Sequence, residues 1–192
     1  MGNWRILATT LIVALGVGGI ASCSKQVRYG DAGAVETVTT EFGSSDLQQI
    51  AETMARSLLQ APVIANGNQP IVTVQEVRNK TSEYIDTRAI TDSIRSQLSR
   101  SGKVRFAVDE ADMQKQIAEL QRQQSEYYNK DQATEIGRMV GAGYRLDGNI
   151  VSIVKESKKV KDVYYKFSLQ LWNVQSGLLE WADEKEIRKT ES

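Results

Sequence analysis

The sequence predicts an α/β fold: a mixed β-sheet packed with helices and closing in a three-strand antiparallel meander at the C-terminus. Three observations predict it. Between Ser45 and about Tyr127, apolar residues recur at helical spacing in separate runs. Short stretches rich in β-branched residues lie between those runs. From Arg145 onward the period changes to two.

The elements follow in order. Ser44 or Ser45 is placed to cap a first helix in which Leu47, Ile50, Met54 and Leu58 share a face. Pro62 and the cluster Asn66-Gly67-Asn68 end it. Ile71 to Val74, with Val77, reads as a buried strand. A second helix, Thr87 to Arg100, aligns Ile90, Ile94 and Leu98 and exits at Gly102. Val104 to Val108 is a short strand. A third helix, Ala111 to Tyr127, carries Met113, Ile117 and Leu120 on one stripe. A fourth, Gln132 to Val140, aligns Ala133, Ile136 and Val140. Residues 145–155, 160–173 and 178–188 then form the meander. In its middle strand Val163, Tyr165, Phe167, Leu169 and Leu171 point one way, so one face is covered and the other wetter.

The start of the chain is of another kind. Arg5 precedes the apolar run Ile6–Ile20, and Ala21-Ser22-Cys23 follows it. A helix of that run would cover about 22 Å, short of the ~30 Å hydrocarbon core. Positive start, short apolar middle and small residues at the end make a signal peptide. Ile20-Ala21-Ser22-Cys23 resembles the bacterial lipobox. A thiol there takes a diacylglyceryl group, the peptidase cuts before it, and the new amino terminus is acylated, with palmitate, in turn. Several acyl chains on one residue anchor durably where one would not. Cys23 is therefore expected to be lipidated, with residues 1–22 a removed signal peptide. Ser24 in place of Asp resembles the enteric pattern for sorting to the outer membrane, on its periplasmic side. Residues 23–43 then read as the lipidated Cys and a flexible tether, about 70 Å at full stretch, with a sheet-edge strand at Val35–Thr40 as the other reading. The folded domain is residues 44–192.

Composition narrows the chemistry. Twenty-four basic residues balance 24 acidic ones among 192, against a general nucleic-acid binder. A single Cys rules out an internal disulfide framework and a cysteine-based zinc site. The absence of His removes the commonest general base and metal ligand, and no Ser-x-x-Lys or Gly-x-Ser-x-Gly occurs. Gly141-Ala142-Gly143 follows a helix and precedes a strand, the wrong order for a phosphate loop. The basic run Lys155–Lys161 falls at a hairpin tip; it reads as a solvated turn, or as contact with an acidic partner or with peptidoglycan carboxylates. Trp172 and Trp181 flank the last hairpin, either as packing residues or as an exposed anchor. No catalytic constellation, metal site or cofactor is expected beyond the lipid on Cys23.

Three segments together carry a resemblance: VTVQEVRNKTSEYIDTRAITDSIRSQLSRSGKVRFAVD, EIGRMVGAGYRLDGNIV and LQLWNVQSGLLEW. In order and spacing they are similar to the LpoB family, lipoprotein activators of bifunctional penicillin-binding proteins, over Leu47 to Ile187. The resemblance implies a fold similar to the amino-terminal domain of TolB. It also implies an outer-membrane lipoprotein, monomeric and non-enzymatic, that docks on a regulatory domain of a peptidoglycan synthase and stimulates it. Enteric members carry a long proline-rich tether, whereas this chain has only Pro62 and Pro70. The polar entry to the first meander strand, Arg145, Asp147 and Asn149, with Arg138 on the preceding helix, is the candidate partner-binding surface. The competing reading is an assembly or secretion lipoprotein related to the curli-export family. Its membrane-crossing hairpins need about 9–11 alternating residues per strand, where the tip KESKKVK is short and charged.

Overall fold

A computed structural model describes residues 29–67 and 69–192. The expected signal peptide and Cys23 lie outside the described residues. The chain divides into two units, Met1–Ala34 and Val35–Ser192. Of the first, the described part holds one turn, in which the Asp31 carboxylate accepts from the Gly33 amide at 2.8 Å.

The second unit opens with helix α1, Ser44–Gln60. Gly43, not Ser44 or Ser45, is its N-cap. The Asp46 carboxylate reaches back to the Gly43 amide at 2.9 Å, and Glu36 from the preceding segment takes the Ser45 amide at 3.1 Å and the Ser44 hydroxyl at 2.9 Å. Glu36 thus satisfies the Ser45 amide that a capping side chain would have served, and Asp46 closes the return bond to the cap's own amide. Ile50, Ala51, Met54, Ala55 and Leu58 form the buried face, at the expected spacing. A single turn, α2 (Pro62–Ala65), follows with Pro at its start.

Strands β1 (Ile71–Val74) and β2 (Arg78–Lys80) both pair in parallel with β4 (Tyr144–Glu156), one after the other along the same edge. Sequence reading missed β2, whose three residues are all exposed and polar and leave no apolar signal. Helix α3 (Thr87–Arg100) is capped by Asp86, which accepts from the Arg88 and Ala89 amides, and ends before Gly102 at φ 68°. Strand β3 is only Arg105–Phe106. Helix α4 is Glu110–Gln123, ending four residues earlier than expected, with Leu120 its one buried hydrophobic side chain among those described.

The fourth helix, expected over residues 132–140, does not form. A 3-10 turn at Lys130–Gln132 gives way to irregular chain, with Ile136 62% and Val140 61% exposed. Among the described residues nothing covers that stripe, and a nine-residue helix without tertiary packing is marginal. Gly137, at φ 86°, adds a further cost at its centre.

The meander is β4, β5 (Lys161–Asn173) and β6 (Leu179–Glu191), paired antiparallel throughout. The sheet runs β3-β1-β4-β5-β6, with β2 also on β4. Val163, Tyr165, Phe167, Leu169 and Leu171 of β5 are all buried, and with Leu146 and Ile150 of β4 they pack on α1 and α3. Gly148 is required where the β4–β5 backbones approach: a Cβ there would meet the Ser168 carbonyl oxygen at 2.1 Å.

The end of the segment read as a tether is part of this unit. No strand forms at Val35–Thr40, and Val35 and Val38 are exposed, but Thr40 is buried. The Tyr165 hydroxyl reaches the Thr40 carbonyl at 3.0 Å, the Phe42 amide donates to Glu83 at 3.0 Å, and the Phe42 ring stands edge-on to Tyr165 at 5.8 Å. Lys189 donates to the Glu41 carbonyl at 2.7 Å and pairs with Asp46, both ions being largely buried. Residues 40–43 are a strap on the domain rather than free chain.

Candidate docking face

Arg145, Asp147 and Asn149 alternate along β4 with Leu146, Gly148 and Ile150. Because strand side chains alternate, burying the second set against α1 and α3 turns the first set outward together. The Arg145 guanidinium lies 3.3 Å from the Asp147 carboxylate, both partly exposed. Across the ladder these three stand opposite Trp172, Gln170 and Ser168 of β5. Further out, Lys166 pairs with Glu184 at 3.4 Å, and Arg188 sits 5.7 Å over the Tyr164 ring. A hydrogen bond to Glu186 is the main cause that pushes the Tyr164 hydroxyl pKa up to about 12. The result is a half-exposed sheet face of paired charges and amides. Such a face discriminates by placing each charge opposite its complement rather than by net attraction.

The two tryptophans separate. Trp181 packs against the core and its indole N–H donates to the Ser57 hydroxyl at 3.3 Å. Trp172 is on the outward face beside Arg145, its indole nitrogen shielded and without an acceptor. Arg138 is not on a helix. It lies in the irregular segment before β4, exposed and paired with Glu135. The structure therefore brings together Arg145, Asp147 and Asn149 but gives Arg138 a local partner.

Sequence reading missed one concavity. A cleft of about 910 Å³ opens beyond the end of β1, lined by Glu76, Asp86, Arg88, Arg95, Asp109 and Glu110 among others. Its cations are already engaged: Arg95 with Asp109 at 3.0 Å and Arg88 with Asp112 at 3.1 Å. Lys115 first, then Arg88, holds the Asp112 carboxyl below its ordinary pKa. These residues lie far apart in sequence, and no local pattern announces the cleft. Among the described residues no group of three or more His, Cys, Asp or Glu could hold a metal ion, and no helix is long and apolar enough to cross a membrane.

Fold and face together define an α/β domain that presents one polar sheet surface. The chain belongs to the family described as the peptidoglycan-synthase activator LpoB, whose pattern matches residues 46–187, from the first turn of α1 to near the end of β6. Among solved structures it is similar to the LpoB C-terminal domain from Salmonella enterica, at 19% identity and TM-score 0.44, covering 74% of this chain and 98% of that one. The NMR structure of E. coli LpoB matches at 19% identity and TM-score 0.43, over 92% and 84%. The lipoprotein GNA1162 from Neisseria meningitidis matches at 14% identity and TM-score 0.39, over 63% and 83%. No curated protein shows a significant match.

Proposed function

We propose that this protein is a non-catalytic lipoprotein that binds and stimulates a bifunctional penicillin-binding protein, acting as a monomer held to the outer membrane through lipid on Cys23. The observation that supports it is the family match over residues 46–187, which takes in every strand and α-helix of the domain. The outward β4 row of Arg145, Asp147 and Asn149 is the docking surface in this reading, with Arg138 outside it. The strap shortens the arm. With Thr40 fixed on the domain, the chain from Cys23 spans at most about 60 Å even when fully extended. The partner must then be met near the outer membrane, or must itself reach toward it.

The test is the rate of glycan-strand polymerisation by the same organism's bifunctional synthase, with and without residues 35–192, which keep the strap. A saturable increase that Arg145→Ala or Asp147→Ala weakens is the expected result. No increase and no binding at micromolar concentration overturns the activator reading. A full increase with both variants keeps the activator and moves the docking face elsewhere.

A further inference from the structure

The basic tip of the β4–β5 hairpin is left unused by the docking face. The strands pair out to Glu156 and Lys161, and the Ser157 amide closes the turn on the Val160 carbonyl at 2.8 Å. Lys158 and Lys159 occupy its centre, with Lys155 and Lys161 at its shoulders. Among the described residues none of these four lysines has an ion pair, and here, unlike at Lys80, Lys103, Lys130 and Lys185, which also have none, four fall within seven positions. Glu156 is the single acid in the tip, so residues 155–161 are strongly positive.

The same tip exposes branched aliphatic side chains. Ile153 is 56%, Val154 45% and Val160 40% exposed. Successive strand residues point to opposite faces, so Ile153 and Val154 put one aliphatic group on each side of the hairpin end. Charges alone would suit a solvated turn that discourages edge pairing. The β5–β6 turn also exposes aliphatics, Val174, Leu178 and Leu179, but only at the β4–β5 tip do they stand beside a cluster of lysines.

We infer that this hairpin tip is a contact site for an anionic phospholipid surface. Lys158 and Lys159 at the turn meet the headgroup phosphates while Val160, with the one of Ile153 and Val154 on the face that lies against the membrane, packs at the headgroup boundary, the combination that interfacial anchors use. A carboxylate-bearing glycan or an acidic protein rim would satisfy the lysines, but the glycan offers no hydrocarbon to the aliphatic groups. The overhang is too short to cross a bilayer, so the contact is with one leaflet.

Hydrogen–deuterium exchange on the full chain tests this, because it reads the tip separately from any attachment through Cys23. Vesicles of phosphatidylcholine alone are compared with vesicles that also contain phosphatidylglycerol. Amides of residues 153–161 are expected to slow severalfold only on the anionic vesicles, and raised salt should reverse the slowing. Lys→Gln changes at 155, 158, 159 and 161 should lower the tip's affinity about fivefold for each lysine removed. Unchanged exchange at Phe167 and Leu169 in the core shows that the variant is folded. Equal tip exchange on both vesicles overturns the inference, and so does undiminished protection in the folded Gln variant. Protection by peptidoglycan fragments but not by vesicles overturns the lipid assignment in favour of wall carboxylates. The vesicle comparison on the unaltered chain decides the matter even if the variant fails to fold.

Discussion

The hydroxyl of Tyr165 lies 3.0 Å from the carbonyl oxygen of Thr40, a residue 125 positions earlier in the chain. That hydroxyl's one proton is shared between the Thr40 carbonyl and the Glu83 carboxylate, which in turn accepts from the Phe42 amide. One buried side chain on the central strand of the meander therefore fixes where the N-terminal arm joins the domain. Tyr165→Phe should cost about 1–3 kcal/mol in urea unfolding, since it leaves the Thr40 carbonyl and the Glu83 carboxylate without their shared donor. It should also make the bond before Thr40 more susceptible to limited proteolysis.

Tyr165 also sets an alkaline limit. Burial first, and then the bonded Glu83 carboxylate, raises its pKa above the ordinary value near 10. A raised folded-state pKa stabilises below the unfolded value and ceases to do so as pH rises toward the folded one. Stability should accordingly decline above about pH 10, more steeply in the native chain than in Tyr165→Phe. Thermal unfolding between neutral and alkaline pH measures the difference; parallel curves would show that Tyr165 is not the group responsible.

Asp46 and Lys189 form the most buried ion pair of the described residues, with side chains 4% and 12% exposed. Removing one partner strands the other charge, at a cost of about 3–5 kcal/mol. Lys189→Met alone should fall in that range. Combining it with Asp46→Asn should cost clearly less than the two single changes added together. Equal sums in a double-mutant cycle would mean that the two side chains do not interact.

Gly148→Ala places a methyl group against the Ser168 carbonyl and 3.2 Å from the Leu169 Cα, both backbone. Neither can move without disturbing the β4–β5 ladder. A loss of about 2–3 kcal/mol is expected, read as a lowered denaturant midpoint with unchanged slope.

Arg145→Ala should behave in the opposite way. Its pairing with Asp147 is partly solvated, and such pairs contribute about 0–1 kcal/mol. Unfolding should be almost unchanged while binding to the synthase weakens, so the two measurements together separate a docking residue from a structural one.

The candidate docking face was half legible before the structure. Period-two alternation alone says that Arg145, Asp147 and Asn149 share a side of β4. Their neighbours Trp172, Gln170 and Ser168 come from antiparallel register, a non-local pairing that the strand's own residues do not state. Arg138 was grouped with them through a helix that the chain does not form. Its periodic stripe, Ala133, Ile136 and Val140, is a local signal for which the fold supplies no covering surface.

By itself the sequence determined the elements whose patterns are local and strong: α1, α3, β1 and the alternating strands of the meander. It also pointed to the family through three segments in order, while lipid attachment at Cys23 is an expectation from a short local motif. Each of these depends on residues within a turn or a few strand positions of one another, or on short motifs in series. Only the tertiary structure decided what rests on contact between distant residues. It turned the end of the arm into a strap through Thr40 and Tyr165, buried an ion pair between Asp46 and Lys189, and paired three polar residues of β2 with β4. It also left the lysines of the hairpin tip without ion pairs among the described residues and its aliphatics about half exposed. The physical reason is common to all of these. Burial and pairing are properties of what the chain brings alongside a residue, and a residue's own type and neighbours set only the conditions under which that company is favourable.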